Sequence, residues 1–369
     1  MAQPQPDDFN RWLAALIAAY ITAEQQLLGG VAAILSITDP TLLAQLVALT
    51  RMRRLAQRVS NELTAGTDPT IDRLMIAAAR AGTGVAVSQL NRQVPGSAIV
   101  PKFDFAKAHG DRALAAIRRD LTSELEDVRR RITRLPDDVY KVISPAAAGG
   151  QVLGRGFTPA QAQAYAWRQY VRAGVNGFTD RAGRNWSLSA YVEMSVRTAT
   201  TRAFNTSHLE VMRASHIDYF TVSDDGHPCP LCFPWQGRIL TDGPDEQNTM
   251  QADATIAEAT AAGLFHPNCK HVLLPVIPGV TNVPAPQTWT AEHQQAYDLT
   301  QKQRRLELEI RKAKKTAEYA TTPDARKDAQ ADIRKAQQNM RAFIDQTGYL
   351  RQSRREQVDL ANDHLKLPA

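Results

Sequence analysis

His227-Pro228-Cys229-Pro230-Leu231-Cys232 and, further on, His266-Pro267-Asn268-Cys269-Lys270-His271 are the two stretches from which this chain is best read. Between them they hold all three cysteines of 369 residues. Two thiolates separated by two residues can face one ion from a tight turn. A distant thiolate and an imidazole then complete a tetrahedron and staple two remote segments together. The pattern predicts Zn2+ bound by Cys229, Cys232 and Cys269, with His271 or His266 as fourth ligand and His227 a poorer choice. Three cysteines are too few, and odd in number, for a disulfide framework. As merely buried small side chains they would have no reason to cluster with histidine.

The residues around these stretches alternate as short strands do. Ile217 to Val222 leads into the first cysteine pair, Gly237 to Leu240 returns, and His271 to Ile277 forms a third β-rich run. Thr241 to Ala262 reads as an irregular excursion. The rest of the chain is periodic at helical spacing. Trp12, Leu13, Leu16, Ile17, Tyr20 and Ile21 open a first helix, with a break expected at Gly29-Gly30. A second helix starts after Asp39-Pro40-Thr41 and a third after Asp68-Pro69. Leu114, Ile117, Leu121, Leu125, Val128, Ile132 and Leu135 form a coiled-coil-like seam that Pro136 is expected to end. A long helix runs from about Ser189 to Ala214, and two polar helices divided at Thr321-Thr322-Pro323-Asp324 follow residue 290. The fold class is therefore mainly α with a small β-rich, zinc-stapled domain (α+β). Linkers at Pro145–Gly150 and Val280–Pro286 divide it into an N-terminal helical domain, 1–148, a metal-binding domain, 149–285, and a basic helical region, 286–369.

Net charge is +6, but it is unevenly placed. Residues 301–358 hold 15 Lys/Arg and 8 Asp/Glu, a surplus of +7, so the remainder is close to neutral. Arg304, Arg305, Arg311, Lys312, Lys314 and Lys315 are the candidates to meet nucleic acid or an acidic partner. No interleaved aromatics accompany them, as base stacking would require, and a solvated helix surface accounts for them somewhat better. The most apolar stretch, Trp12 to Ala23, is too short to span a membrane and is stopped by Glu24-Gln25-Gln26. Residues 1–10 carry two aspartates and no basic cluster, so they do not read as a secretory signal. A reducing cytoplasm is the expected site of folding.

Taken together, these residues resemble the phage minor capsid protein 2 family and the wider Mu-type head morphogenesis group. The resemblance spans roughly Gly154 to Glu356. It is carried by Trp186-Ser187-Leu188-Ser189-Ala190-Tyr191, by Arg197-Thr198 and Asn205, and by Cys229-Pro230-Leu231-Cys232 with Trp235-Gln236-Gly237. His266-Pro267-Asn268-Cys269, Lys302-Gln303-Arg304-Arg305-Leu306-Glu307, Arg351 and Arg354-Arg355-Glu356 complete it. Lys270 stands where arginine commonly follows the last cysteine, which keeps charge but loses guanidinium geometry. The resemblance implies a low-copy structural component of a tailed-phage head, associated with the portal protein and other capsid or scaffold proteins. It implies assembly in the bacterial host cytoplasm, residence in the virion head beside packaged DNA, a structural zinc and no small-molecule substrate.

Two enzyme readings compete. A zinc deaminase would pair His208-Leu209-Glu210 with Pro228-Cys229-Pro230-Leu231-Cys232, Glu210 moving the proton. Against it, His208 lies deep in a helix and Cys269 would have no task. A His-Asn-His type nuclease would use His266, Asn268 and His271, but the same histidines are wanted for the structural ion. No glycine-rich phosphate loop and no Gly-x-Ser-x-Gly elbow is present.

Overall fold

A computed structural model describes residues 6–93, 112–144, 155–173, 178–179, 185–186, 188–224, 226, 229–243, 250–267, 269 and 271–358, with the isolated positions 147 and 152. The irregular stretch expected at Val94–Lys107, most of the Pro145–Gly150 linker, His227, Asn268 and Lys270 lie outside them.

Helix α1 spans Pro6–Ser36 and α2 spans Leu42–Gln93. Helix α3 is Arg112–Ile143, α4 is Pro159–Ala173 and α5 is Leu188–Ala214. A two-stranded ribbon, β1 (Phe178–Thr179) with β2 (Asn185–Trp186), precedes α5. Strand β3 is Tyr219–Val222, β4 is Leu240–Thr241 and β5 is Ala254–Thr255. Helix α6 (Ile256–Ala261), strand β6 (Leu273–Pro275), and helices α7 (Ala291–Glu318) and α8 (Pro323–Thr347) follow. The molecule is mainly α with one small sheet, as its periodicity predicts.

Three expected helix breaks do not occur. The first helix runs straight through Gly29-Gly30 because those glycines serve close packing. A methyl on Gly30 would strike the Leu55 side chain of α2. Helix α2 continues through Pro69, and α3 through Pro136. An interior proline costs about 3 kcal/mol. Here it is offset because the residues on both sides of each proline stay buried: Leu63, Ile71 and Leu74 of α2, and Ile132, Leu135 and Val139 of α3.

Leu16, Ile17, Tyr20, Leu74, Leu125, Val128, Val192 and Val196 bring α1, α2, α3 and α5 into one apolar cluster. A second cluster, around Leu28, Met52, Val139 and Trp167, packs α4 against the same bundle and reaches Tyr319, the cap of α7. Trp167 Nε1–H donates to the Tyr319 carbonyl oxygen at 2.7 Å. The sheet has the order β5-β4-β3-β6, with β3 antiparallel to both neighbours and β4 parallel to β5. Phe220 pairs with Leu240 on one side and Pro275 on the other. The sheet caps one end of the bundle, where Ala86, Leu90, Val211 and Met212 meet Phe220, Val222 and Leu273. Helix α5 therefore belongs to the bundle at one end and to the sheet at the other. The excursion after Thr241 is more ordered than expected. Thr255 and Glu258 close a capping box, and that box starts α6 directly from β5.

Candidate metal centre

The antiparallel pairing of β3 with β6 sets the two cysteine-bearing segments side by side. Ser223 N–H donates to the Val272 carbonyl at 3.0 Å, and Ser223 Oγ accepts from Val272 N–H at 3.0 Å. Just past β3, the chain folds into a tight knuckle. The Cys229 carbonyl accepts from Cys232 N–H at 3.1 Å and from Phe233 N–H at 2.9 Å. A short 3-10 turn at Phe233–Trp235 then redirects the chain. Just before β6, Cys269 N–H donates to the His266 carbonyl at 2.9 Å and forms a second turn.

These turns bring five donor atoms together. Cys232 Sγ lies 3.6 Å from Cys269 Sγ. Cys229 Sγ lies 3.2 Å from His266 Nε2, and Cys269 Sγ lies 3.3 Å from His271 Nδ1. Two sets form, Cys229–Cys232–His266 and Cys232–Cys269–His271, with the donors of each set within 4.8 Å of one another. Zn–S bonds of about 2.3 Å and Zn–N bonds of about 2.0 Å place sulfurs about 3.8 Å apart in a tetrahedron, and sulfur and nitrogen about 3.5 Å apart. Each set of three fits a Zn2+ ion in chemistry and in spacing, while no four of the five donors all lie within 4.8 Å of one another.

Each histidine sets one ring nitrogen against a sulfur and has a partner at the other nitrogen. His266 Nδ1–H donates to the Pro267 carbonyl at 2.8 Å. The Gln236 side-chain amide lies 3.1 Å from His271 Nε2. Its amide nitrogen faces the ring, so Gln236 donates to His271 Nε2. His271 is buried, whereas His266 is half-buried.

Electrostatics favour a cation at this point. The Cys232 thiol shares its proton with both neighbours, so Cys229 falls to about 3 and Cys269 to about 4, while Cys232 itself is pushed far up. The hydrogen bond that His266 donates to the Cys229 sulfur raises His266 to about 9. Negative sulfur is thus concentrated in a largely dry corner.

His208 stands apart from this centre. It is buried on α5, its Nε2 is 2.7 Å from Gln89 Oε1 of α2, and burial pushes it down to about 4. The deaminase arrangement of His208 and Glu210 with Cys229 and Cys232 is therefore not assembled, because α5 runs unbroken to Ala214 and turns His208 into the bundle. Asn268, which the nuclease reading needs, lies outside the described residues.

The basic candidates divide. Arg304 and Arg305 are exposed. Arg311 donates to the Arg355 carbonyl, Lys312 pairs with Glu309, and Lys314 donates to Gln357. Lys315 is buried and pairs with Glu24 at 2.9 Å. It therefore leaves the group of cations able to meet a phosphate.

The family model for phage minor capsid protein 2 matches residues 5–345, nearly the whole chain. The chain belongs to the phage minor capsid protein 2 family. No curated protein and no solved structure matches it. Membership gives the chain a structural role in a phage capsid, and it extends through the N-terminal helices that the resemblance drawn from motifs did not reach. Among the described residues, no helix is long and apolar enough to cross a membrane.

Proposed function

We propose that this minor capsid protein is a low-copy head component that docks at the portal and is held in shape by one structural zinc ion. Family membership over residues 5–345 carries the reading. The donor set of the metal centre supports the zinc. Cys229, Cys232, Cys269 and His271 would hold it, chosen because His271 is the buried histidine and its outer nitrogen is fixed by Gln236. The bound ion contributes folding free energy, roughly 10–16 kcal/mol in zinc-finger peptides. His266 then steadies the Cys229 sulfur from outside.

An exposed apolar surface at the elbow between α1 and α2 supports a protein partner. Ile37, Leu42, Leu43, Leu46 and Val47 are exposed there, and isolated domains rarely leave such residues grouped. Arg51, Arg54 and Arg58 continue the outward face of α2 and add charge for orienting a partner. Assembly in the host cytoplasm, followed by residence near DNA in the head, completes the proposal. Arg304 and Arg305 are the cations free to approach a phosphate backbone.

The test is quantitative mass spectrometry of purified particles, normalised to portal protein. The chain should be present at low copy in portal-bearing procapsids and full heads, and missing from shells assembled without portal. Equal recovery from portal-free shells would rule out portal docking.

A further inference from the structure

Among the described residues, eleven large apolar side chains are exposed, and five of them fall within residues 37–47, where α1 hands over to α2. Ile37 and Leu43 are 74% and 75% exposed. The other six lie singly along the chain, which surfaces tolerate. The two turns of α2 that follow the elbow carry Arg51, Arg54 and Arg58, also exposed. At about 100° per residue, Leu43, Val47, Arg51, Arg54 and Arg58 fall within about 80° of one another and form one stripe. The opposite face, with Leu49, Met52, Ala56 and Val59, is buried.

The stripe changes character along its length. Its first half is apolar and its second half is cationic, each about two turns or 10 Å long. Arg51, Arg54 and Arg58 form no ion pair among the described residues, whereas Arg53 turns aside to Asp137 of α3. The single acid between positions 37 and 58 is Asp39, which accepts from Thr41 N–H at 3.0 Å within the elbow. A phosphate backbone would meet the arginines and leave the leucines wet. A helix lying on a bilayer divides apolar from charged residues around its circumference. Here the division runs along the axis, and the far side of α2 is already in the core. What matches is a rod of the same rise whose facing stripe is apolar and then acidic, which is a second helix.

We propose that the outward face of α2 docks an amphipathic helix of a partner protein. Its aliphatic residues cover Ile37, Leu43 and Val47, and its carboxylates meet Arg51, Arg54 and Arg58. Such a helix rests on the reading of the elbow as a partner surface, whichever head component carries it.

The probe is a capped, labelled 16-residue helical peptide with leucine on one face over two turns and glutamate on that face over the other two. It is made in both sequence orders, to cover parallel and antiparallel docking, and titrated into the full chain by fluorescence anisotropy. One order should bind saturably, and its glutamine version about tenfold more weakly. Leu43→Ser with Val47→Ser, at exposed positions, should lose binding with an unchanged melting temperature. Arg54→Glu with Arg58→Glu should prefer a lysine version of the peptide over the glutamate one. No saturable binding by the wild type, equal binding of the glutamate and glutamine peptides, or no reversal of charge preference would overturn the proposal. So would binding to phosphatidylglycerol vesicles that Leu43→Ser with Val47→Ser removes, which would assign the stripe to a membrane surface. The same serine variant is scored for incorporation into procapsids. Loss of incorporation without any peptide binding would overturn the helix and leave the elbow a partner surface, whereas incorporation at wild-type copy number would overturn both.

Discussion

Cys232 Sγ and Cys269 Sγ meet at 3.6 Å although 37 positions separate them in sequence. Only the β3–β6 pairing brings them together, so a metal at this point would staple the knuckle to the strand that follows. The protein should bind one Zn2+ per chain, and Cys269→Ser should lose it together with roughly several kcal/mol of stability. His271→Ala should lose zinc as well, whereas His266→Ala should retain it. Metal analysis and thermal melts with and without chelator decide the matter. Zinc retained in Cys269→Ser would remove the structural site, and zinc lost only in His266→Ala would exchange the roles of the two histidines.

The buried pair Glu24–Lys315 ties α1 to α7, with the two side chains 3% and 11% exposed. Removing one partner leaves the other charge stranded. Lys315→Met alone should therefore cost about 3–5 kcal/mol. Glu24→Leu together with Lys315→Met should return most of that loss, because paired apolar side chains need no counter-charge. Urea melts of the wild type, the single and the double variant measure the difference. A single variant as stable as the wild type would mean that the pair does not hold the C-terminal helices to the bundle.

Helix periodicity and the cysteine spacing were legible from the chain alone because both are local. Leu121, Leu125, Val128 and Ile132 occupy the core that their spacing predicts. The cluster of Cys229, Cys232 and Cys269 with two histidines is not local, but its residue types, thiols and imidazoles in two short motifs, announce it. Gly30, Pro69 and Pro136 were misread because their local preference for a break is overruled by packing partners far away in sequence. Gln236 went unseen as the partner of His271 because nothing in its neighbourhood distinguishes it from any turn glutamine. Lys315 looked like its neighbours in a basic run, since its partner Glu24 lies on a helix at the opposite end of the sequence.

His208 should make the protein acid-labile. Its folded value of about 4 lies below the ordinary 6.5, because burial penalises the imidazolium. Its Nδ1 is buried without a partner, so an added proton has no acceptor. Below pH 6.5 the unfolded chain takes up a proton that the folded chain refuses. Stability present above pH 6.5 is therefore lost as pH falls toward 4, to a limit of about 3 kcal/mol for this group. Denaturant melts between pH 7 and 4 should show this loss in the wild type and not in His208→Gln, whose amide can still reach Gln89. An identical pH dependence in both proteins would assign the acid lability elsewhere.

Gly82 and Gly84 lie two residues apart on α2 and should respond to alanine in opposite directions. A methyl on Gly82 would sit far inside contact distance of the Phe204 carbonyl oxygen, at the crossing of α2 and α5. The obstacle is backbone, which cannot swing aside as a side chain would, so the helices must part. Gly82→Ala should cost about 1–3 kcal/mol, the usual range for overpacking. A methyl on Gly84 meets nothing within 4 Å. Gly84→Ala therefore keeps only the backbone term, a gain of about 0.8–1 kcal/mol for alanine over glycine inside a helix. Because α5 leads through β3 into the metal knuckle, Gly82→Ala should loosen that connection, visible as faster amide exchange in β3 and weaker zinc retention under chelator. A Gly82→Ala protein as stable as Gly84→Ala would show that α2 and α5 do not cross as closely as this structure places them.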